Sequence, residues 1–151
     1  MNAIELLKAD HDVVSKLFQK VEATDEKEHP ALFEKIKAEL DVHTHIEEKI
    51  FYPKLIAEGD EELKDITLEG IEEHLQAKMF LRQLAALSED SEKFEPKLKV
   101  LMEDIEHHVM EEEGEMFVMV EEQFDASVLE ELGKEMEAEK KTFSKSQSAS
   151  A

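Results

Sequence analysis

Two short stretches of the chain repeat one pattern built from residue types that bind metal ions. His43-Thr-His-Ile-Glu47-Glu48-Lys-Ile-Phe51-Tyr52 and His108-Val-Met-Glu-Glu112-Glu113-Gly-Glu-Met116-Phe117 carry a histidine, a glutamate pair and an apolar-aromatic pair at equal offsets. On an α-helix, residues four apart are separated by about 40° around the axis and one turn along it. Each histidine and the glutamate four places on therefore point at one locus and can bite one metal site. Cysteine is absent, so a metal here must take nitrogen and oxygen ligands.

Helices must position these pairs, and the rest of the chain reads as helix. Four glycines, three prolines and abundant Glu, Lys, Leu, Ala and Met are the vocabulary of long helices. Ile4, Leu7, Val14, Leu17 or Phe18, and Val21 follow the three-four spacing of one helical stripe, and His11 lies inside it. Past a polar segment ending in Pro30, a second helix carries Phe33, Ile36, Leu40, His43, Glu47 and Ile50 in the same register. Pro53 and the Gly-Asp-Glu-Glu run after Ala57 mark its end. A third helix over about 61–87 has the seam Thr67, Gly70, His74, Ala77, Leu81 and Leu84. The fourth places Phe94, Leu98, Leu101, Ile105, His108, Glu112 and Met119 on one face. After Phe124, an Asp-Ala-Ser cap introduces a short fifth helix from Val128 to about Lys140.

The expectation is an all-α, antiparallel up-down-up-down four-helix bundle over 1–124, a short C-terminal helix within 125–142, and a disordered tail over 143–151. Each long helix then supplies one seam histidine: His11, His43, His74 and His108. Glu47 and Glu112 join them at the axis. Left unpaired among apolar side chains, these six polar groups would each cost several kcal/mol, and the carboxylates would raise each other's pKa. Cations remove that penalty. Carboxylates can bridge two ions while imidazoles fill terminal positions, so Glu47 and Glu112 are the expected bridges and iron or manganese the expected metal.

These features resemble the hemerythrin family, its HHE cation-binding group, across roughly residues 1–120. The resemblance is carried by Asp10-His11, by His43-x3-Glu47 with Glu48 and Phe51-Tyr52-Pro53, by Glu73-His74, and by His108-x3-Glu112 with Glu113 and Met116-Phe117. It implies two non-haem iron ions, oxo- or hydroxo-bridged when oxidised. It also implies a small ligand such as oxygen, peroxide or nitric oxide, in binding, chemistry or sensing. Carriers of the family have a second histidine four residues after the one on the third helix, and Lys78 stands there in this chain. The four-His, two-Glu set leaves open coordination for water, a small oxidant or a further glutamate such as Glu115.

Other residues keep two readings at this level. His107 and Glu111 share the i, i+4 spacing, so a one-residue shift of the fourth helix would substitute them for His108 and Glu112; alignment of the repeat favours the latter. Lys78 could reach the site or snorkel outward. Tyr52 could be a hydrogen-bonding neighbour, with half-buried packing the simpler role. His45 lies on the far side of its helix from His43, and His29 falls in a loop beside Pro30.

With 39 acidic and 18 basic side chains, the formal charge of -21 opposes binding to a nucleic-acid backbone or an anionic membrane. No run approaches a membrane span, and the first residues lack a secretory pattern, so a cytoplasmic protein is expected. Two functions follow: a di-iron protein that binds a small oxidant, or an iron- or oxygen-responsive regulatory module without turnover.

Overall fold

The computed structural model describes the backbone of residues 1–150 and the side chains of 1–147. Helix α1 (Ala3–Ala23) starts at Asn2, whose side chain accepts from the Glu5 N–H while the Glu5 carboxylate accepts from the Asn2 N–H, a reciprocal cap. One 3₁₀ turn (Glu26–Glu28) leads into α2 (His29–Ile46), with Pro30 in its first turn where a missing N–H is harmless. Helix α4 (Glu61–Ala86) is capped by Asp60, which accepts from the Leu63 N–H at 2.9 Å. The fourth long helix begins with α5 (Phe94–Glu111).

The second and fourth helices each contain one π-turn, and both turns fall at the same place in the sequence repeat. Glu47–Phe51 joins α2 to α3 (Tyr52–Glu58), and Glu112–Met116 joins α5 to α6 (Phe117–Gln123). A π-turn widens the helix by one residue and is concentrated at functional sites. Here each begins at the glutamate of the His-x3-Glu pair. Of the two expected end signals, the Gly59-Asp60 step closes the helix and opens the next, whereas Pro53 does not stop it. Pro53 has no N–H to give at the point where the ladder returns to i→i−4 bonding, so the helix passes through it to Glu58.

The bundle is antiparallel, as its sequence pattern requires, and it has two apolar clusters with a polar layer between them. One cluster includes Val14, Phe18, Phe33, Leu40, Leu81 and Leu101; the other includes Leu7, Ile46, Phe51, Leu55, Leu63 and Phe117. The six metal-type residues lie between these two, all buried. Each cluster draws on both halves of the sequence, so burial on either side of the layer fixes how the four helices face one another.

Helix α7 (Ala126–Ser150) is longer than the sequence pattern indicates. It runs through residues 143–150, where a disordered tail was expected; Ala151 lies outside the described residues. Leu129, Leu132 and Met136 dock it on the second cluster. Gly133 lets it come close: a Cβ there would lie 2.3 Å from the Met1 carbonyl oxygen. The extension is secured by side chains that composition does not reveal, since Phe143 stacks on His45 at 4.0 Å and Glu139 accepts from His45 at 2.7 Å and from Lys49 at 3.0 Å. His45 is thus occupied by α7. His29 also departs from the expected loop, being the buried first residue of α2. Among the described residues no helix is long and apolar enough to cross a membrane.

Candidate metal centre

The four histidines enter the polar layer from four different helices with their Nε2 atoms turned inward. His11 and His43 form one half, with ring centroids 4.9 Å apart, and His74 and His108 form the other, also 4.9 Å apart. Both glutamates serve both halves. Glu47 Oε1 is 3.1 Å from His43 Nε2 and 3.2 Å from His74 Nε2. Glu112 reaches His11 Nε2 through Oε1 at 3.0 Å and His108 Nε2 through Oε2 at 3.3 Å. The result is two overlapping clusters, His11-His43-Glu47-Glu112 and Glu47-His74-His108-Glu112, each with one ligand atom per residue within 4.8 Å of the others.

The inner atoms fit a cation and do not satisfy one another. His11 Nε2, His43 Nε2, both Glu47 oxygens and Glu112 Oε1 are buried without a hydrogen-bond partner. Orphaned buried polar atoms are rare in folded proteins, and five converging on one place call for an ion. The protonation preferences point the same way. Burial pulls the His43 imidazole down, yet the nearby Glu47 carboxylate and the hydrogen bond to Asp10 hold it up at about 10. His108 is likewise pulled down by burial and pushed up to about 11 by Glu112 and Glu73. Burial raises the Glu112 carboxyl, but His108 and His11 hold it well below the usual carboxylate range. Positive charge is what this interior stabilises, and metal ions supply it without protons.

An outer layer of carboxylates orients the imidazoles in a closed circuit. Each accepts from the Nδ1–H of the histidine on the next helix: Asp10 from His43 (3.1 Å), Glu48 from His74 (2.7 Å), Glu73 from His108 (2.6 Å) and Glu113 from His11 (2.6 Å). With Nδ1 protonated, Nε2 is left with its lone pair facing inward, the arrangement metal-binding histidines require. Lysines back two of the four carboxylates. Lys78 donates to Glu48 at 2.7 Å, so it neither enters the inner cluster nor points away; Lys140 of α7 donates to Asp10.

Every inner residue singled out by spacing is in the layer, and the register is settled by burial. His108 and Glu112 face inward, while His107 and Glu111 form a surface pair at 2.7 Å. Glu115 is exposed and does not approach. Tyr52 is the residue whose place the packing argument undervalues. It is fully buried, its hydroxyl donates to Glu112 Oε2, and Oη lies 3.3 Å from His74 Nε2 and 3.5 Å from His108 Nε2. Gly70 makes room for it, since a Cβ there would sit 3.3 Å from the hydroxyl. The available signal was the small residue one turn before His74, facing a tyrosine one turn after Glu47.

A helical bundle with two buried histidine-rich clusters sharing two glutamates is built to hold a metal cation in its core. The family model of the hemerythrin HHE cation binding domain matches residues 2–120, and this chain belongs to that family. Its fold matches the crystal structure of a hemerythrin HHE cation binding domain-containing protein from Mycobacterium kansasii, a homologue of Rv2633c, with a TM-score of 0.81 and 30% identity over 97% of this chain and 89% of that one. The Mycobacterium tuberculosis protein Rv2633c is 34% identical over 91% of this chain and 84% of its own length. A DNA nickase of a Nostoc species is 26% identical over 93% of this chain, which spans only 39% of the nickase.

Proposed function

We propose that this chain is a non-haem di-iron protein that binds oxygen or a related small oxidant, peroxide or nitric oxide, in its bundle core. The observation that carries the reading is the sharing of Glu47 and Glu112 by both histidine pairs, because one mononuclear site would not need two complete nitrogen sets around two common carboxylates. His11 and His43 would hold one iron, His74 and His108 the other, and the glutamates would bridge. Tyr52, whose hydroxyl donates to Glu112, would stand beside the second iron, on the side where Lys78 takes the place of the carrier type's histidine. When bound, the iron pair supplies an open, redox-active position for a small oxidant.

The chain's own residues prepare that position in three ways. The outer carboxylates fix each Nδ1–H and so aim each Nε2. Tyr52 holds a proton 3.3 Å from His74 Nε2, within reach of a molecule bound on that side. Phe117, parallel to the His11 ring at 5.9 Å, and Phe51 close the apolar wall and keep bulk water out. A cytoplasmic location accompanies this reading. Metal analysis and the absorption spectrum of protein expressed with iron test it: two irons per chain with an oxo-bridged charge-transfer band are expected, and fewer than one tightly held iron rejects it. Steady-state loss of peroxide or nitric oxide that requires Glu47 and Glu112 would make the protein an enzyme.

A regulatory reading has one specific support, the contact of α7 with the site through Lys140, Asp10 and His43. In that case, metal removal changes the protease sensitivity of α7, with no turnover.

A further inference from the structure

The His107-Glu111 pair, set aside when the register is fixed on His108 and Glu112, has a third member. Glu73, on the facing helix α4, brings a carboxylate to the pair, so that ligand atoms of Glu73, His107 and Glu111 all lie within 4.8 Å of one another. Glu73 is held in place by His108, and its approach to Glu111 sets two carboxylates beside one imidazole, an arrangement whose repulsion a cation removes. Thirty-nine acidic residues are spread over the chain, yet among the described residues only three such groups occur: the two halves of the core and this one.

Its position relative to the core is the second observation. Glu73 accepts from His108 Nδ1 at 2.6 Å, so one carboxylate belongs both to the outer group and to the support of a core histidine. A cavity of about 130 Å³ opens between α4 and α5, lined by Glu73 and His107 of the outer group and by His74 and His108 of the core, with Asp104 adding a further carboxylate. That volume corresponds to about four waters at liquid density, enough for a cation that has shed most of its hydration shell.

We propose that Glu73, His107 and Glu111 form an outer divalent-cation site that captures the metal from solution and passes it along this cavity to the His74-His108 half. The inference rests on the di-iron reading of the core. The ligand class is a divalent first-row transition ion, which a mixed imidazole and carboxylate set selects over calcium or magnesium. The high negative charge of the chain raises the local cation concentration at the mouth.

The test uses the full chain and the double variant His107→Ala/Glu111→Ala, which leaves every core residue and Glu73 in place. Wild-type protein already loaded with iron is titrated with Mn²⁺, and free Mn²⁺ is followed by its paramagnetic resonance signal. In parallel, metal-free protein is mixed with Fe²⁺ under anaerobic conditions, re-oxidised, and its loading rate read from core absorbance. The expected results are one additional Mn²⁺ per wild-type chain, with affinity lowered about tenfold or more in the variant, and core loading several-fold slower in the variant with the same final iron content. A wild-type chain that takes up no additional Mn²⁺, or a variant that loads at the wild-type rate, overturns the proposal. Failure of the di-iron reading is seen separately, as wild-type protein that never reaches two irons.

Discussion

The two halves of the centre are built to one plan and finished differently. Each has two histidines, a share of Glu47 and Glu112, and one lysine-backed carboxylate. In the His11-His43 half both Nε2 atoms lack a hydrogen-bond partner, whereas in the other half the Tyr52 hydroxyl stands beside both Nε2 atoms. The supports differ as well: Asp10 is sealed under α7 with 5% of its side chain exposed, and Glu48 keeps 29%. One half is locked from outside by a helix; the other has a phenol beside it and a cavity leading to it. Equal ligand counts from a sequence repeat thus do not imply equal sites.

The largest effects should come from the groups the halves share. Glu112→Ala removes an oxygen from both, and chains carrying it are expected to retain almost no iron by metal analysis, while His43→Ala and His74→Ala each lose one ion of two. If all three variants lost the same amount, the division into halves would be wrong. Tyr52→Phe comes next: both ions stay, the His74-His108 half binds about tenfold more weakly, and the visible spectrum changes. A spectrum identical to wild type would remove the phenol from the site.

The lysines sharpen the contrast. Lys140→Met leaves the buried Asp10 carboxylate without its cation, which costs more than the loss of Lys78 beside the partly hydrated Glu48. Thermal melts of the loaded protein should rank Lys140→Met below Lys78→Met, by about 1–2 kcal/mol; the reverse order would contradict the difference in burial.

The smallest effect serves as a control away from the metal. His29 is a buried histidine with both nitrogens engaged, Nδ1 by Glu95 at 2.8 Å and Nε2 by the Val21 carbonyl at 2.8 Å. Burial pulls its pKa down, but these bonds raise it above the ordinary value. A group raised on folding contributes stability that is complete below the unfolded pKa, about 6.5, and fades as pH climbs through the folded value. His29→Gln should therefore cost about 1 kcal/mol at pH 6, and the gap in melting temperature from wild type should narrow above neutrality, with iron content unchanged throughout.

Much of the centre is legible in the sequence because helical geometry converts spacing into direction. His43 with Glu47, and His108 with Glu112, are i, i+4 pairs in an apolar seam, and that is sufficient to place them. His11 and His74 follow from the same seams on their own helices. Tyr52 is not legible in this way, since its hydroxyl reaches the layer only after a π-turn has shifted the phase of the helix, and a period of 3.6 has no term for the extra residue. The outer carboxylates are adjacent to inner residues in sequence, but each serves a different helix, so no local pattern reports the pairing. The extent of α7 was obscured for a related reason: its final turns are held by Phe143 against His45, a contact ninety-eight positions apart.

The circuit of carboxylates has a consequence for how the bundle finds its alignment. Each long helix presents a histidine to the carboxylate of one neighbour and a carboxylate to the histidine of the other. A helix turned by one residue, about 100°, would break both links at once and withdraw its inner ligand. Greasy seams alone tolerate such slippage, because leucine packs acceptably against many partners. The ring behaves as a four-pin key: all helices are in phase or none is, and the metal-binding geometry is complete only in the one setting that turns.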